Sequence, residues 1–412
     1  MSQDPLDGSV LMARLDRLAQ ASAEPGALTR LTLTPAHREA ALIVAEWMGE
    51  AGMSVRIDRV GNVVGRYEGS TPGAPALLVG SHIDTVRDAG RFDGNLGVVL
   101  GIAAVADLSR RGRVLPYAIE VLAFSDEEGV RFPTTLTGSK AIAGTFNSQS
   151  LEDRDADGVT RAQALAEFGA PGGDILLEAR DPSRVLGYIE AHIEQGPVLE
   201  DRNLPLGVVT AINGATRAEI QLRGMAGHAG TLPMGMRRDA LAAAAEMIMA
   251  IETRARAEAD LVATVGTIHV PNAAVNVVPG EVRFTLDLRS PDDAARQRAH
   301  ADLERRFSAI AQARRIEIDT RVFYDAPATP CDSVLQAKLS ASMAHIGAAP
   351  FRLPSGAGHD ALAFRGLWPV AMLFVRCKGG ISHNSAEYAS PQDMELAARV
   401  LTHFLETCAL AE

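Results

Sequence analysis

The sequence predicts an α/β protein with a mainly parallel sheet, interrupted by an inserted ferredoxin-like α+β domain. In the first half of the chain, strand-like apolar runs such as ALLVG (76–80) and YAIEVLAFS (117–125) alternate with helical segments such as 97–112. This alternation is typical of a parallel sheet with buried strands. Between about 214 and 325 the predicted order changes to β-α-β-β-α-β, which is the ferredoxin-like order.

The individual elements follow from local signals. Residues 34–52 predict a helix with Thr34 as N-cap, Pro35 at its first position and Gly52 as its stop. Residues 54–69 alternate around Gly61-Asn62 and predict a hairpin. A polar stretch at about 150–175 precedes a strand at 185–194, and the α/β pattern resumes with a strand at 370–375 and a closing helix at 390–410.

The inserted domain has six predicted elements: strand 216–224, helix 237–258, strand 262–270, strand 281–290, helix 291–312 and strand 315–324. The predicted organisation is therefore one domain formed by residues 1–213 and 326–412, with a second domain at 214–325 inserted into it.

Composition narrows the choice of partners. A chain of 412 residues is long enough for two domains, and its net charge of −11 argues against a nucleic-acid partner. The apolar runs fall short of the ~20 residues that span a bilayer, and the N-terminal segment lacks the basic start of a signal peptide. Three scattered cysteines suit a reducing compartment. We therefore expect a cytoplasmic protein with a small-molecule partner.

Four predicted strands run into residues of the kinds that bind metal ions. Ligands of α/β proteins bind at the carboxyl ends of parallel strands. The residues that follow the four strands are His82 and Asp93, then Asp126, Glu127 and Glu128, then His192 and Glu194, and finally His383 and Glu387. Imidazoles and carboxylates without thiolates suit Zn²⁺ or a similar divalent ion.

Each piece alone is weak evidence. A single histidine more often has a structural or surface role, and this is the interpretation for His37, His269, His300, His345 and His403. Adjacent acids usually form a solvated turn, but successive side chains of an extended segment diverge, so one of Glu127 and Glu128 can bind metal while the other faces substrate. In His82-x-Asp84 both side chains project the same way, so Asp84 is expected to hold the second imidazole nitrogen.

Together these segments resemble the M20 metallopeptidase-like superfamily and, within it, the carbamoylase-type amidohydrolases, a group that includes N-carbamoyl-L-amino acid hydrolases, β-ureidopropionase and allantoate amidohydrolase. The similarity runs over nearly the whole chain, through GSHIDTVRDAGRFDGNLG, DEEGVRF, HIEQGPVLE, GHAGTLPM, RRDAL, NVVPGEVRFTLDLR, SGAGHDA and GGISHNSAE. It implies a zinc-exopeptidase-like catalytic domain and makes residues 214–325 a lid or dimerisation domain.

The resemblance also implies the metal ligands. Asp93 would bridge two zinc ions, with His82 and His192 on one ion and Glu128 and His383 on the other. Mn²⁺, Co²⁺ or Ni²⁺ suit the same ligands. Glu127 would act as the general base, supported by Asp84.

The substrate-binding residues are implied in the same way. His228 would donate to the oxyanion in the partner subunit's site, which implies a homodimer. Asn276 and Arg289 would hold the substrate, the arginine through a two-pronged contact with a carboxylate. Gln195 and Gly358 would line the ureido pocket. The roles of His359, Asp360 and Lys378 stay open.

The leading hypothesis is thus a di-zinc amidohydrolase that cleaves the ureido or carbamoyl C–N bond of a small carboxylate-bearing substrate. The alternatives are an aminoacylase or dipeptidase of the wider superfamily, and a non-catalytic binding module. His192, Asn276 and Arg289 favour the first, and Glu127 with all the implied ligands is present, which disfavours the last. A Rossmann dehydrogenase is disfavoured because no G-x-G-x-x-G opens a helix after the first strand. N-carbamoyl amino acids, 3-ureidopropionate and allantoate all remain open as substrates.

Overall fold

The computed structural model of the chain describes residues 4–408, which divide into two compact units. Within the described range, unit 1 comprises residues 4–210, 331–353 and 358–408, and unit 2 comprises residues 211–330 and 354–357. Residues 1–3 and 409–412, and with them the last two positions of the predicted closing helix, lie outside the described residues.

The first segment of the chain alternates helices and strands. In chain order these are α1 (Gly8–Ala19), α2 (Pro35–Glu50), β1 (Ser54–Ile57), β2 (Val63–Tyr67), β3 (Ala76–His82), α3 (Asn95–Arg110), β4 (Ala118–Phe124), α4 (Thr137–Ala143), α5 (Arg161–Phe168), β5 (Val185–Ile193), α6 (Val198–Asp201) and β6 (Leu206–Ile212).

The second segment lies in unit 2. Its elements are β7 (Gly214–Arg223), β8 (Gly227–His228), α7 (Ala240–Arg256), β9 (Val262–Thr264), β10 (Ile268–His269), β11 (Val277–Val278), β12 (Glu281–Ser290), α8 (Asp293–Arg314), β13 (Glu317–Ala326) and β14 (Thr329–Pro330). The chain ends with α9 (Ser333–His345), β15 (Arg352–Ser355), β16 (Val370–Val375) and α10 (Pro391–Thr407).

The sheet of unit 1 has the strand order β1-β2-β4-β3-β5-β16-β6. Its four central strands, β4, β3, β5 and β16, are parallel to one another, whereas β2 and β6 are antiparallel to their neighbours. Strands β3 and β4 are buried along their whole length, as expected for a parallel sheet covered on both faces. The predicted mainly parallel α/β sheet is confirmed.

Helix α2 shows how the local signals act. Thr34 accepts a hydrogen bond from the backbone N–H of His37, Pro35 occupies the first turn, and Gly52 follows the helix with a φ of 87°. These are the N-cap, N1 and left-handed stop positions that the sequence predicts. The predicted hairpin is present as well, because β1 pairs with β2 from Ser54↔Arg66 to Ile57↔Val63.

Unit 2 is built on an antiparallel sheet with the order β10-β12-β7-β13, in which β9 also pairs with β12. Its core consists of apolar residues of α7 and α8 and of one face of the sheet, such as Met247, Phe307 and Phe284. The element order matches the ferredoxin-like prediction. Unit 2 extends beyond the expected range 214–325 because Ile212 of β6 pairs with Thr329 of β14, and Asn213 donates to the carbonyl of Ser355.

One segment without a predicted element contains a helix, and one local prediction needs correction. The polar stretch near 150–175 contains α5, which begins with a capping box between Thr160 and Gln163. The single strand predicted at 262–270 is divided into β9 and β10, and the backbone N–H of Thr285 on β12 donates to the carbonyl of Thr267 in the break. Alternation of apolar residues does not reveal such a break, because it depends on the neighbouring strand. Among residues 4–408, no helix has both the length and the apolarity to cross a membrane.

Candidate active site

The predicted metal ligands of unit 1 lie at the carboxyl ends of its four parallel strands. His82 is the last residue of β3, His192 is the second-last residue of β5, and residues 126–128 lie just after the end of β4 at Phe124. His383 follows β16 after a short 3-10 turn. Since these strands are neighbours in the order β4-β3-β5-β16, their carboxyl ends lie at one edge of the sheet.

Asp93 occupies the centre of this group. Its Oδ1 lies 3.1 Å from His192 Nε2 and 3.4 Å from His82 Nε2. Its Oδ2 lies 3.4 Å from His383 Nε2, which is itself 3.5 Å from Glu128 Oε2. One oxygen of Asp93 thus faces the imidazoles of His82 and His192. Its other oxygen faces the imidazole of His383 and the carboxylate of Glu128.

The two buried histidines are held in the orientation that a metal site requires. His82 Nδ1 lies 3.0 Å from the carbonyl oxygen of Asp84, and His192 Nδ1 lies 2.9 Å from the carbonyl oxygen of Ile193. Each contact suits a protonated Nδ1 and leaves Nε2 facing Asp93 as an electron-pair donor. The donor atoms of His82, Asp93 and His192 lie within 4.8 Å of one another, and so do those of Asp93, Glu128 and His383. Imidazole and carboxylate donors grouped in this way suit divalent metal ions.

Asp84 differs in detail from the expectation. Its carboxylate Oδ1 is 3.4 Å from His82 Nδ1, farther than its own backbone carbonyl. Both carboxylate oxygens accept backbone N–H groups instead, from Glu127 at 3.0 Å and from Glu128 at 3.2 Å. Asp84 therefore ties the strand end that carries His82 to the turn that carries the two glutamates.

The electrostatics of this group reflect burial and close pairing. Although burial opposes it, hydrogen bonds with His192, His383 and His82 hold the pKa of Asp93 well below its usual range. Burial raises the pKa of Glu127 well above its usual range and that of Glu128 to about 7. The hydrogen bond with Asp93 raises the pKa of His383 to about 9.

Not every acid at a strand end faces this group. Asp126 accepts hydrogen bonds from buried Arg161 at 2.7 Å and from Thr137 at 2.5 Å. Glu194 accepts the backbone N–H groups of Val198 and Leu199 at the start of α6. Asp126 is thus paired with side chains and Glu194 with the backbone of α6, so their position after a strand does not identify them as ligands.

Glu387 and Ser382 orient Asp93, a role that the sequence analysis did not assign. Glu387 Oε1 accepts the backbone N–H groups of Phe92 at 2.9 Å and Asp93 at 3.0 Å. Asp93 Oδ2 accepts hydrogen bonds from Ser382 Oγ at 2.7 Å and from Gln195 Nε2 at 2.8 Å. In the sequence, Glu387 stands out as an acid that follows the fourth strand, whereas the signal for Ser382 is that it shares the segment GGISHNSAE with His383.

Two residues of the group have a left-handed backbone that side chains other than glycine rarely adopt. Gln195 has a φ of 56° and His383 a φ of 54°. Such conformations cluster at functional sites, where the surrounding structure holds them. Gln195, which is expected in the ureido pocket, lies beside Asp93. Gly358 is exposed, and a Cβ added to it would lie 3.4 Å from the Leu362 side chain.

A further buried cluster lies next to His192. The donor atoms of Glu190, His192 and His359 are within 4.8 Å of one another. The His359 ring stands edge-on to the His192 ring at 4.5 Å between centroids, and burial lowers the pKa of His359 well below its usual range. Asp360 is fully buried, and burial raises its pKa well above its usual range. His359 thus packs on a predicted ligand, while Lys378 is exposed.

Three predicted substrate residues belong to unit 2. His228 and Asn276 are exposed and adjacent, because β8 pairs with β11 at His228↔Val277 and Ala229 donates to the carbonyl of Asn276. Arg289 lies near the end of β12. Its Nε and Nη2 donate to Asp287 at 2.8 and 2.9 Å, and its Nη1 donates to the carbonyl of Gly356 at 2.8 Å.

Comparison with known proteins gives concordant results. The chain is 40% identical over 97% of its length to N-carbamoyl-L-amino acid amidohydrolase of Geobacillus stearothermophilus, of which it covers 98%. It is 42% identical over 96% of its length to allantoate deiminase 1 of Glycine max, of which it covers 88%. The crystal structure of an amidase of the hydantoinase/carbamoylase family from Burkholderia multivorans superposes with a TM-score of 0.91 at 34% identity, with 98% of each chain covered.

The family comparison confirms the resemblance seen in the sequence. Peptidase family M20/M25/M40 matches residues 78–407, a range that contains every predicted metal ligand. The chain belongs to Peptidase family M20/M25/M40.

Proposed function

We propose that this chain is a metal-dependent amidohydrolase that cleaves the ureido C–N bond of a small substrate bearing a carboxylate. The observation that carries the proposal is the position of Asp93, with one oxygen facing His82 and His192 and the other facing His383 and Glu128. The relatives named N-carbamoyl-L-amino acid amidohydrolase and allantoate deiminase support this reaction class.

We propose that two divalent ions, Zn²⁺ in the first instance, are held by these five residues. His82, His192 and Asp93 would hold one ion, and Asp93, Glu128 and His383 the other. Mn²⁺, Co²⁺ and Ni²⁺ suit the same donors. When bound, such a pair supplies Lewis-acid catalysis and positive charge beside the reacting oxygens.

Glu127 is the proposed general base. It lies shortly after the end of β4, its backbone N–H donates to Asp84, and it precedes the predicted ligand Glu128 without belonging to either group of three ligands. During hydrolysis Glu127 accepts a proton from the attacking water on its carboxylate and delivers it to the nitrogen as the C–N bond breaks.

Substrate binding is assigned to the remaining predicted site residues. Gln195 and Gly358 would contact the ureido group, and Asn276 would hold the substrate. Arg289 would bind the carboxylate through two parallel hydrogen bonds, which a guanidinium forms better than an ammonium. His228 would donate a hydrogen bond to the oxyanion that develops at the carbonyl.

We further propose a homodimer in which His228 acts in the site of the other subunit, and a cytoplasmic location. The exposed position of His228 is compatible with a role outside its own chain. The three cysteines are buried free thiols, as expected for a protein of a reducing compartment.

A substrate panel tests the proposal. We expect the metal-loaded protein to release ammonia from an N-carbamoyl-L-amino acid, 3-ureidopropionate or allantoate, and to favour the free acid over its amide. N-acetyl amino acids and dipeptides serve as substrates for the aminoacylase or dipeptidase alternative. Arg289→Ala should lose the preference for the acid, and Arg289→Lys should restore little of it, because an ammonium lacks the planar fork.

Arg283→Ala is the matched control, since Arg283 lies on the same strand and the same face and contacts Glu281. Faster hydrolysis of dipeptides than of every ureido acid would refute the proposed reaction. An unchanged acid preference in Arg289→Ala would refute the role of Arg289.

A further inference from the structure

We infer that Arg217 supplies the positive charge that makes the Arg289 site attract a carboxylate, so that Arg217 is a specificity-determining residue. The inference rests on the proposed function, because it presumes that Arg289 binds the substrate carboxylate. It concerns three side chains of unit 2: Arg217, Asp287 and Arg289.

The register of the sheet brings these side chains together. Asp287 of β12 lies directly opposite Arg217 of β7, and Tyr324 of β13 lies opposite Arg217 on its other side. Arg217 Nε donates to Asp287 Oδ2 at 3.0 Å, and its guanidinium lies 4.9 Å from the centre of the Tyr324 ring. Side chains of both neighbouring strands therefore hold Arg217 in place.

The Asp287 carboxylate binds the edge of the Arg289 guanidinium formed by Nε and Nη2, an edge that carboxylates commonly use. Its Oδ1 accepts from Arg289 Nε and its Oδ2 from Arg289 Nη2. The carbonyl of Gly356 takes one N–H of Nη1. A guanidinium has five N–H groups, so one remains on Nη1 and one on Nη2. These two groups are available to a substrate carboxylate.

The net charge of these three side chains depends on Arg217. Although burial opposes it, the hydrogen bond from Arg289 lowers the pKa of Asp287, which keeps this carboxylate ionised. Arg289 and Asp287 alone form a neutral pair that attracts an anion weakly. Arg217 adds a second guanidinium to the same carboxylate, so the three side chains together carry a net positive charge and attract an anion.

The surroundings leave room for such an anion. The three side chains line a cavity of about 610 Å³ together with Val262, Thr264, Gly266, Thr285 and Phe323. No other acidic side chain lines this cavity among the residues that the structure describes. The cavity therefore suits a small molecule with one carboxylate, and its attraction for that group depends on Arg217.

The experiment compares kcat and KM of the full-length metal-loaded protein for N-carbamoylglycine and its amide. Arg217→Gln should raise KM for the acid roughly three- to tenfold, the effect of removing one partly screened charge. It should leave kcat and the kinetics of the amide unchanged. Arg217→Lys, which keeps the charge, should recover most of the loss. The KM of the wild-type protein for the acid should rise with salt, and this salt dependence should weaken in Arg217→Gln.

Arg223→Gln is the control, because Arg223 lies on the same strand and face, is exposed and contacts Gln221. An Arg217→Gln protein with an unchanged ratio of acid to amide hydrolysis would overturn the inference, and so would an equal loss for both substrates. Failure of the proposed function is distinguishable, since it would appear as an Arg289→Ala protein that still prefers the acid.

Discussion

Asp93 shows how much of this site depends on single residues. Each of its carboxylate oxygens faces a different pair of predicted ligands. Its orientation depends on three residues from elsewhere in the sequence: Gln195 and Ser382 donate to its carboxylate, and Glu387 accepts its backbone N–H. A carboxylate so constrained presents both oxygens without rearrangement, as the proposed two-metal site requires.

At the level of single residues, we predict that one substitution removes proton transfer and keeps the metal, whereas another removes metal. Glu127→Gln should retain two equivalents of zinc but lose turnover by at least about a hundredfold, because it removes a proton carrier and no ligand. His383→Ala should lose one equivalent, and His269→Ala, which removes an exposed histidine of unit 2, should lose none. Zinc content after gel filtration, measured with kcat, decides the matter: substantial turnover by Glu127→Gln would exclude Glu127 as the base.

The turn between β3 and α3 shows how an element shapes the site. Gly94, the residue before α3, has a φ of 65° and lies so close to His82 that a Cβ there would be 2.4 Å from the imidazole ring. Its backbone nitrogen also lies 3.2 Å from His192 Nε2. Only glycine satisfies both the left-handed conformation and the close approach.

Gly94→Ala should therefore displace the His82 ring, reduce zinc content and lower the free energy of unfolding by roughly 2–4 kcal/mol. Gly26→Ala is the control, because Gly26 also has a positive φ, of 81°, but no atom within 4 Å of the position of its Cβ. We expect it to cost only about 1 kcal/mol and no zinc. Chemical denaturation and zinc analysis test both variants, and equal effects at the two positions would contradict this explanation.

For the whole molecule, the proposed dimer makes a prediction about mixed subunits. Glu127→Gln and His228→Ala homodimers should both be nearly inactive. If His228 acts in the other subunit's site, a heterodimer of the two variants contains one complete site, with Glu127 of one chain and His228 of the other. It should recover about half of the wild-type activity. Differently tagged subunits, purified as heterodimers, allow the measurement. Absence of recovery in verified heterodimers would place His228 in its own chain's site or outside catalysis.

The sequence by itself determined the family, the α/β class and the positions of most elements. These follow from local signals: a cap and a stop at α2, buried apolar strands such as β3, and functional residues placed directly after parallel strands. The same signals failed where a neighbour decides the outcome, as in the break between β9 and β10, which depends on β12.

Only the tertiary structure decided what each acidic residue does. Asp93, Asp126, Glu194 and Glu387 all follow apolar strands, yet one faces three imidazoles, one pairs with Arg161 and two hold backbone N–H groups. Likewise, the pairing of Asp287 with both Arg217 and Arg289 depends on the register of β12 against β7. A carboxylate takes its role from the donors that folding brings to it, and these donors lie up to 295 positions away in the chain.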